Sequence, residues 1–285
     1  MAALPRGGES LLLALERRSL SVAAQNVYRK GAAVTRIRVA TYNIHKGVQG
    51  VGPQRRLEIH NLGHAVEQFD ADIVCLQEVR KLHRREERHF ARWPELPQAE
   101  FLAPEGYHVV YRSNAFTRHG EHGNALLSRW PVLAHQHEDI SDHRFEQRGL
   151  LHVEVLMHGR SVHVLVVHLG LIRGSRARQV TQLQRFIERE VPHDAPLLIA
   201  GDFNDWGAAV ERTLGVTRLL SFKGERQATF PARLPLVQLD YVYARGLTPT
   251  AVHVPHGRIW WRMSDHLPLI AEFDLPAAIA SRARR

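Results

Sequence analysis

Residues 197–204 read Leu197-Leu-Ile-Ala-Gly-Asp-Phe-Asn204, an apolar run that ends in a glycine and two polar side chains flanking a phenylalanine. A run this short, β-branched in part and closed by polar residues, predicts a buried β-strand rather than a helix. With a side-chain period of two, Leu198, Ala200, Asp202 and Asn204 share one face, and Leu197, Ile199, Gly201 and Phe203 share the other. Asp202 and Asn204 therefore stand together at the mouth of a buried strand.

Working outward, the chain from Arg36 onward is a series of short β-type runs, each closed by a polar cluster. Strands are predicted over Arg36 to Ile44, Asp72 to Val79, Tyr107 to Arg112, Gly123 to Arg129, Gly149 to Met157, Ser161 to Leu169, Pro196 to Phe203, Leu239 to Ala244 and Leu267 to Phe273. Helices are predicted over Arg55 to Phe69 and Ser175 to Glu190, with a shorter one over Gly207 to Leu214. Helices thus separate only some strands, and the link from Met157 to Ser161 has hairpin length. The pattern predicts one α/β domain with mixed sheets over 36–275, preceded by an N-terminal arm (1–35), helical or disordered, and followed by a basic C-terminal tail (276–285).

The strand ends carry the chemistry. Asn43 and His45 continue the face of Ile37, Val39 and Thr41; Glu78 closes Asp72-Ile-Val-Cys-Leu-Gln-Glu78; His168 closes Ser161-Val-His-Val-Leu-Val-Val-His168. Polar groups at the carboxyl ends of several buried strands mark the place where such sheets present ligand sites. His152 and His163, flanked by alternating apolar positions, read as satisfied half-buried residues, and Cys75 as core packing. The pairs His60/His64 and His119/His122 have metal-like spacing but lack a His-Glu-x-x-His context.

Composition sets outer bounds. The 285 residues are 44% hydrophobic and 24% charged, which excludes collagen-like, low-complexity and disordered classes. A net charge of +9, from 38 Lys+Arg against 29 Asp+Glu, favours an anionic partner. One cysteine allows no internal disulfide, and no apolar stretch is long enough to span a bilayer, so the expected compartment is the cytoplasm, with peripheral membrane association as an extension.

Thr41-Tyr-Asn-Ile-His45, Asp72-Ile-Val-Cys-Leu-Gln-Glu-Val79, Gly123-Asn-Ala-Leu-Leu-Ser-Arg129, Val167-His-Leu-Gly170, Gly201-Asp-Phe-Asn204, Leu239-Asp-Tyr241 and Ser264-Asp-His-Leu-Pro268 occur in this order. Together they resemble the motifs of the endonuclease/exonuclease/phosphatase superfamily, to which DNase I, AP endonucleases, inositol-polyphosphate 5-phosphatases and neutral sphingomyelinases belong. The resemblance implies a four-layer α/β sandwich of two facing mixed β-sheets flanked by helices, and a phosphoester hydrolase dependent on Mg²⁺, with Mn²⁺ as a substitute. It implies that Glu78 is the principal metal ligand, with Asn43 beside it and Asp265 completing the site. Asp202 would orient and deprotonate the attacking water, Asn204 would polarise the phosphate, His168 would contact it from the other side, and His266 would be oriented by Asp240. Arg148, Asn124 and His45 are added as groups facing the substrate phosphate.

Two departures from the pattern stand out. Many nuclease members carry an acidic residue two positions after the motif asparagine, where this chain has His45, which implies a less acidic metal site. Arg80 replaces the lysine that AP endonucleases place after the motif glutamate. The expected activity is phosphodiester cleavage of nuclease type by water attack on phosphorus. The alternatives are a phosphodiesterase or phosphatase of phospholipid or inositol-phosphate-like substrates, and a catalytically inactive binding relative. Nucleic acid is suggested by the charge and by the basic segments Lys81 to Arg92 and Arg173 to Arg178. An anionic lipid or small phosphodiester is suggested by the same charge with the exposed-looking Ile259-Trp-Trp261 and Arg92-Trp-Pro94.

Overall fold

A computed structural model describes residues 34–206, 210 and 227–277. The expected arm (1–33 of it), most of the short helix over 207–214 and the tail beyond 277 lie outside the described residues. In chain order the elements are β1 (Val34–Asn43), β2 (Val48–Gln49), β3 (Arg56–Leu57), α1 (Ile59–Gln68), β4 (Ile73–Val79), α2 (Arg84–His89) and α3 (Gln98–Leu102). They continue with β5 (His108–Thr117), β6 (Gly120–Ser128), β7 (Val132–Asp139), β8 (Gly149–Met157), β9 (Arg160–His168) and α4 (Arg173–Glu190). The last are β10 (Leu197–Asp202), β11 (Asp240–Arg245), β12 (Thr248–His253), α5 (Trp260–Met263) and β13 (Leu269–Pro276).

Two large mixed sheets face one another, one of six strands in the order β12-β13-β1-β4-β6-β5 and one of five in the order β11-β10-β9-β8-β7. Their inner faces bury Ile37, Val39, Cys75, Val164, Val166, Leu198, Ala200 and Phe273 in one apolar layer. The outer face of the six-stranded sheet packs Tyr42 and Leu76 against Leu62, Val66 and Phe69 of the α1 region. The outer face of the five-stranded sheet packs Leu165 and Ile199 against Val180, Leu183 and Phe186 of α4. Each fully buried Val or Leu side chain contributes roughly 1.5–3 kcal/mol from its removal from water, so the three apolar layers hold the sandwich together.

This packing positions the polar strand ends. β1 and β4 are parallel, as are β9 and β10, so Asn43 and Gln77 end level with one another, and so do His168 and Asp202. In β10, Leu198 and Ala200 face the other sheet while Leu197 and Ile199 face α4. The alternation then places Asp202 on the inner face, and the same count places His168, Asp240 and Asn43 there. Gly201 permits the close parallel pairing: a Cβ there would lie 1.9 Å from the Val167 carbonyl oxygen. Glu78 breaks the count, since alternation would send it outward with Val74 and Leu76. Its left-handed backbone (φ 57°) and the register shift between Leu76 and Val79 re-aim it toward the strand ends, as β-bulges commonly do.

Candidate active site

The polar strand ends of both sheets meet in one cluster. Register sets His168 and Asp240 on either side of Asp202 across three neighbouring strands of the five-stranded sheet. Asp202 Oδ2 accepts from Asn43 Nδ2 (3.1 Å) across the sheet-to-sheet gap, and lies 3.5 Å from His168 Nε2 and 3.6 Å from His266 Nε2. Asp202 Oδ1 accepts the Asn204 backbone N–H at 2.9 Å. His266 enters from the loop before β13, and its Nδ1 pairs with Asp240 Oδ2 at 2.8 Å. Asp202, Asp240, His168 and His266 are all buried.

Such burial of charge forces proton sharing. Burial opposes the charged imidazole of His266, but the carboxylates of Asp240 and Asp202 outweigh it and push the ring up to about 10. Burial, aided by Asp240 and opposed by His266, raises the Asp202 carboxyl well above the ordinary carboxylate range. His168 is driven the other way: burial first, then the Arg148 charge, holds its pKa far below that of a free histidine, so it is neutral. The cluster thus holds an imidazolium, a neutral imidazole and a carboxyl poised to take a proton.

The six-stranded sheet contributes a different kind of group. Burial alone would raise Glu78, but the Lys46 ammonium, which also donates to it, overcomes burial and holds the carboxylate well below its usual range. The Lys46 ammonium sits 2.6 Å from Glu78 Oε2. Asp265 pairs with His45 Nδ1 at 3.1 Å and is likewise lowered, burial being offset by His45 and His266 while Glu78 repels it. Asn43 turns its Oδ1 toward the His45 N–H (3.1 Å), and its backbone carbonyl accepts from Ser264 Oγ (2.6 Å), tying the β13 loop to β1. His45, Lys46, Glu78 and Asn204 all adopt left-handed backbone (φ 46°, 61°, 57° and 49°), the strained conformations that gather at functional sites.

Two arrangements could hold a cation. Glu78, Asp265 and the Asn43 amide offer oxygen donors only, with the Lys46 ammonium against Glu78 and the His45 ring against Asp265; such donors suit a hard divalent ion such as Mg²⁺. Among the described residues, Asp202, Asp240 and His266 also bring ligand atoms within 4.8 Å of one another. That trio holds a proton on His266 that a metal would have to displace, so the oxygen set fits a metal better.

The other expected residues fall as follows. Asn204 Nδ2 donates to the Leu169 carbonyl at 2.9 Å, beside Asp202. Arg148 donates to Glu146 Oε1 (3.2 Å) and, with Lys46, Glu78 and His122, lines a cleft of about 470 Å³. Asn124 is a correction: it is fully buried, and its Nδ2 donates to the Gly149 and Val166 carbonyls of the facing sheet (3.0 and 3.1 Å), so it ties the sheets together instead of facing a phosphate. Trp260 and Trp261, exposed-looking in the sequence, pack on the core, Trp260 stacking on Phe69, which leaves Ile259 as the exposed member. His152 and His163 form a buried pair, Nε2 to Nδ1 at 2.9 Å, and Cys75 is core, both as expected. Lys46 was missed, and His122, singled out in the sequence only for its spacing from His119, lines the cleft with Arg148 instead. Lys46 sits in a tight turn whose geometry no spacing rule reveals, although its place three residues after Asn43 was a usable signal; burial drives His122 down to about 4.

The sandwich and the strand-end cluster define the class as the DNase I-like fold. Solved structures agree: endonuclease/exonuclease/phosphatase from Beutenbergia cavernae has TM-score 0.64 at 23% identity, covering 84% of this chain and 72% of that one. The human Nocturnin catalytic domain with bound sulfate anion has TM-score 0.63 at 20% identity, covering 86% and 97%. The chain belongs to the Endonuclease/Exonuclease/phosphatase family, whose profile matches residues 40–266. Among its curated relatives is "Uncharacterized protein YbhP" of Escherichia coli (strain K12), 38% identical over 246 residues, 84% of this chain and 96% of that protein. Membership makes the chain a phosphoester hydrolase of nuclease or phosphatase type.

Proposed function

We propose that the chain cleaves a phosphodiester by metal-dependent attack of water on phosphorus. The observation that carries this reading is the convergence on Asp202, within 3.6 Å, of Asn43, His168 and the His266–Asp240 pair, next to the ionised Glu78 and Asp265. Asp202, with its raised affinity for a proton, takes one from the attacking water. His266, held charged by Asp240, faces the same space and offsets negative charge developing on the phosphoryl oxygens. Neutral His168 and the Asn204 amide supply hydrogen bonds to the non-bridging oxygens. Glu78, Asp265 and the Asn43 amide oxygen would hold a divalent ion, Mg²⁺ by donor preference with Mn²⁺ as a substitute, which when bound neutralises charge on the phosphate.

The charges around these groups bear on the substrate. Of the basic segments that suggested nucleic acid, the second is partly engaged within the protein, since Arg176 donates to the Gly170 and Leu171 carbonyls and Arg178 pairs with Asp142. Lys81, Arg84, Arg85, Arg88 and Arg92 of the first are exposed. Nucleic acid and small or lipid phosphodiesters are therefore both substrates to test. The experiment is a panel of bis-p-nitrophenyl phosphate, supercoiled DNA, RNA, inositol phosphates and phospholipids, with Mg²⁺, Mn²⁺ or EDTA. Turnover that needs the metal and disappears in Asp202→Asn supports the proposal. Metal-independent turnover, or none on any substrate, overturns it.

A further inference from the structure

The large apolar side chains that stay in water are not spread evenly. Strand directions set the loops after β1, β7, β9 and β10 and the loops entering β11 and β13 at the end of the sandwich where Asn43 meets Asp202. Those loops expose Phe145 (82%), Leu171, Ile172, Leu234, Leu236 (70%) and Ile259. At the opposite end the exposed residues of this kind are strand positions, Leu133 and Leu156, and the turns there expose none among the described residues. Scattered exposed apolar residues need no explanation, but a concentration around one mouth does.

Arginines are interleaved with these residues. On one flank a cleft of about 700 Å³ is lined by Arg56, Arg233, Arg258 and Arg262 together with Ile259 and Trp261. Its Arg233 follows Ala232, whose N–H donates to the Asp265 carbonyl at 2.7 Å, so this flank is tied to the loop that carries Asp265 and His266. Only Arg56 of the four has a carboxylate partner, Glu58, among the described residues. On the other flank the Arg144 guanidinium lies 4.6 Å from the centre of the exposed Phe145 ring, which leaves its charge at the level of an apolar tip.

We propose that this rim is a docking face for an anionic lipid bilayer, so that the phosphodiester cleaved is that of a lipid presented at the membrane surface. The inference rests on the hydrolase reading for the substrate but not for the docking. Aliphatic tips beside unpaired guanidiniums match an acyl boundary beneath anionic headgroups, where the exposed rings of Phe145 and Trp206 at the same mouth would sit with them. The five aliphatic tips, Leu171, Ile172, Leu234, Leu236 and Ile259, have no π-face on which a base could stack. Insertion would bring the mouth, with Asp202 and His266 behind it, directly over the headgroup layer.

The measurement is flotation of the full-length chain with phosphatidylcholine vesicles, with and without phosphatidylglycerol, alongside turnover of bis-p-nitrophenyl phosphate. Binding should need phosphatidylglycerol and weaken with salt. Changing Arg233, Arg258 and Arg262 to Gln together should weaken it roughly a hundredfold, about a factor of five for each guanidinium. Leu234→Asp with Leu236→Asp should abolish it, and both variants should turn over the soluble diester normally, since none of these residues touches the catalytic cluster. No vesicle binding, binding indifferent to these changes, or displacement of vesicles by single-stranded DNA overturns the docking proposal while leaving the hydrolase reading intact. Vesicle binding without soluble turnover removes the hydrolase reading instead.

Discussion

The two sheets build the two halves of the site from opposite physical materials. The five-stranded sheet supplies Asp202, Asp240 and His168 from regular strands, all buried, and burial with neighbouring charge sets the protonation of Asp202 and His168. The six-stranded sheet supplies Asn43 from the end of β1 and Glu78 from a strand end that leaves regular geometry, and Glu78 and Asp265 are carboxylates with Lys46 and His45 against them. One half suits holding and moving a proton, the other suits holding a cation. His266 joins them, since it follows Asp265 in the chain and pairs with Asp240 of the opposite sheet.

If that division is right, changes in each half have distinct signatures. Asp202→Asn removes the proton acceptor while keeping its shape, and turnover should fall by about 10²–10⁴-fold in steady-state assays, the range for a lost general base. Glu78→Gln should instead raise the Mg²⁺ concentration needed for half-maximal activity by roughly 100-fold, above the tenfold or so lost with outer-shell partners. Asp240→Asn should act on pH. His266 has a folded pKa of about 10 against an ordinary 6.5, so the stability its charge provides is fully present below 6.5 and lost as pH rises through about 10. Metal-free protein should therefore lose stability across that window in pH-dependent urea melts, and Asp240→Asn should flatten the loss. An unchanged slope in the variant would show that His266 is charged for another reason.

Two smaller effects concern the scaffold. Gly201→Ala forces a Cβ against the Val167 carbonyl and should lower stability by about 1–3 kcal/mol, read as a drop in melting temperature. Asn124→Ala deprives two buried carbonyls of their donor, with a cost of about 1–3 kcal/mol and an unchanged KM. A raised KM with full stability would restore Asn124 to the phosphate.

Where the chain is buried on both faces, the sequence was readable. β8 begins and ends as expected, and the alternation in Leu197 to Asp202 correctly grouped Asp202 with Leu198 and Ala200, which face the other sheet. Of the strands that escaped notice, β2 and β3 are two-residue strands of a separate small sheet, and β7 and β12 are edges of the large sheets. Val132-Leu-Ala-His-Gln-His-Glu-Asp139 is largely exposed and polar, and Thr248-Pro-Thr-Ala-Val-His253 contains a proline and a bulge, so neither shows strand periodicity. The same logic separates the halves of the site. His168, Asp202 and Asp240 follow from counting by twos, whereas the direction of Glu78 and the reach of Lys46 depend on left-handed residues that no residue pattern announces.

The most direct check on the division between the halves is calorimetric titration of Mg²⁺ into wild type, Asp202→Asn and Glu78→Gln, with turnover of bis-p-nitrophenyl phosphate measured on the same samples. Asp202→Asn should bind Mg²⁺ like wild type yet fail to turn over, and Glu78→Gln should lose the binding itself. Loss of Mg²⁺ binding in Asp202→Asn, or its retention in Glu78→Gln, would contradict the assignment of proton and cation to separate sheets.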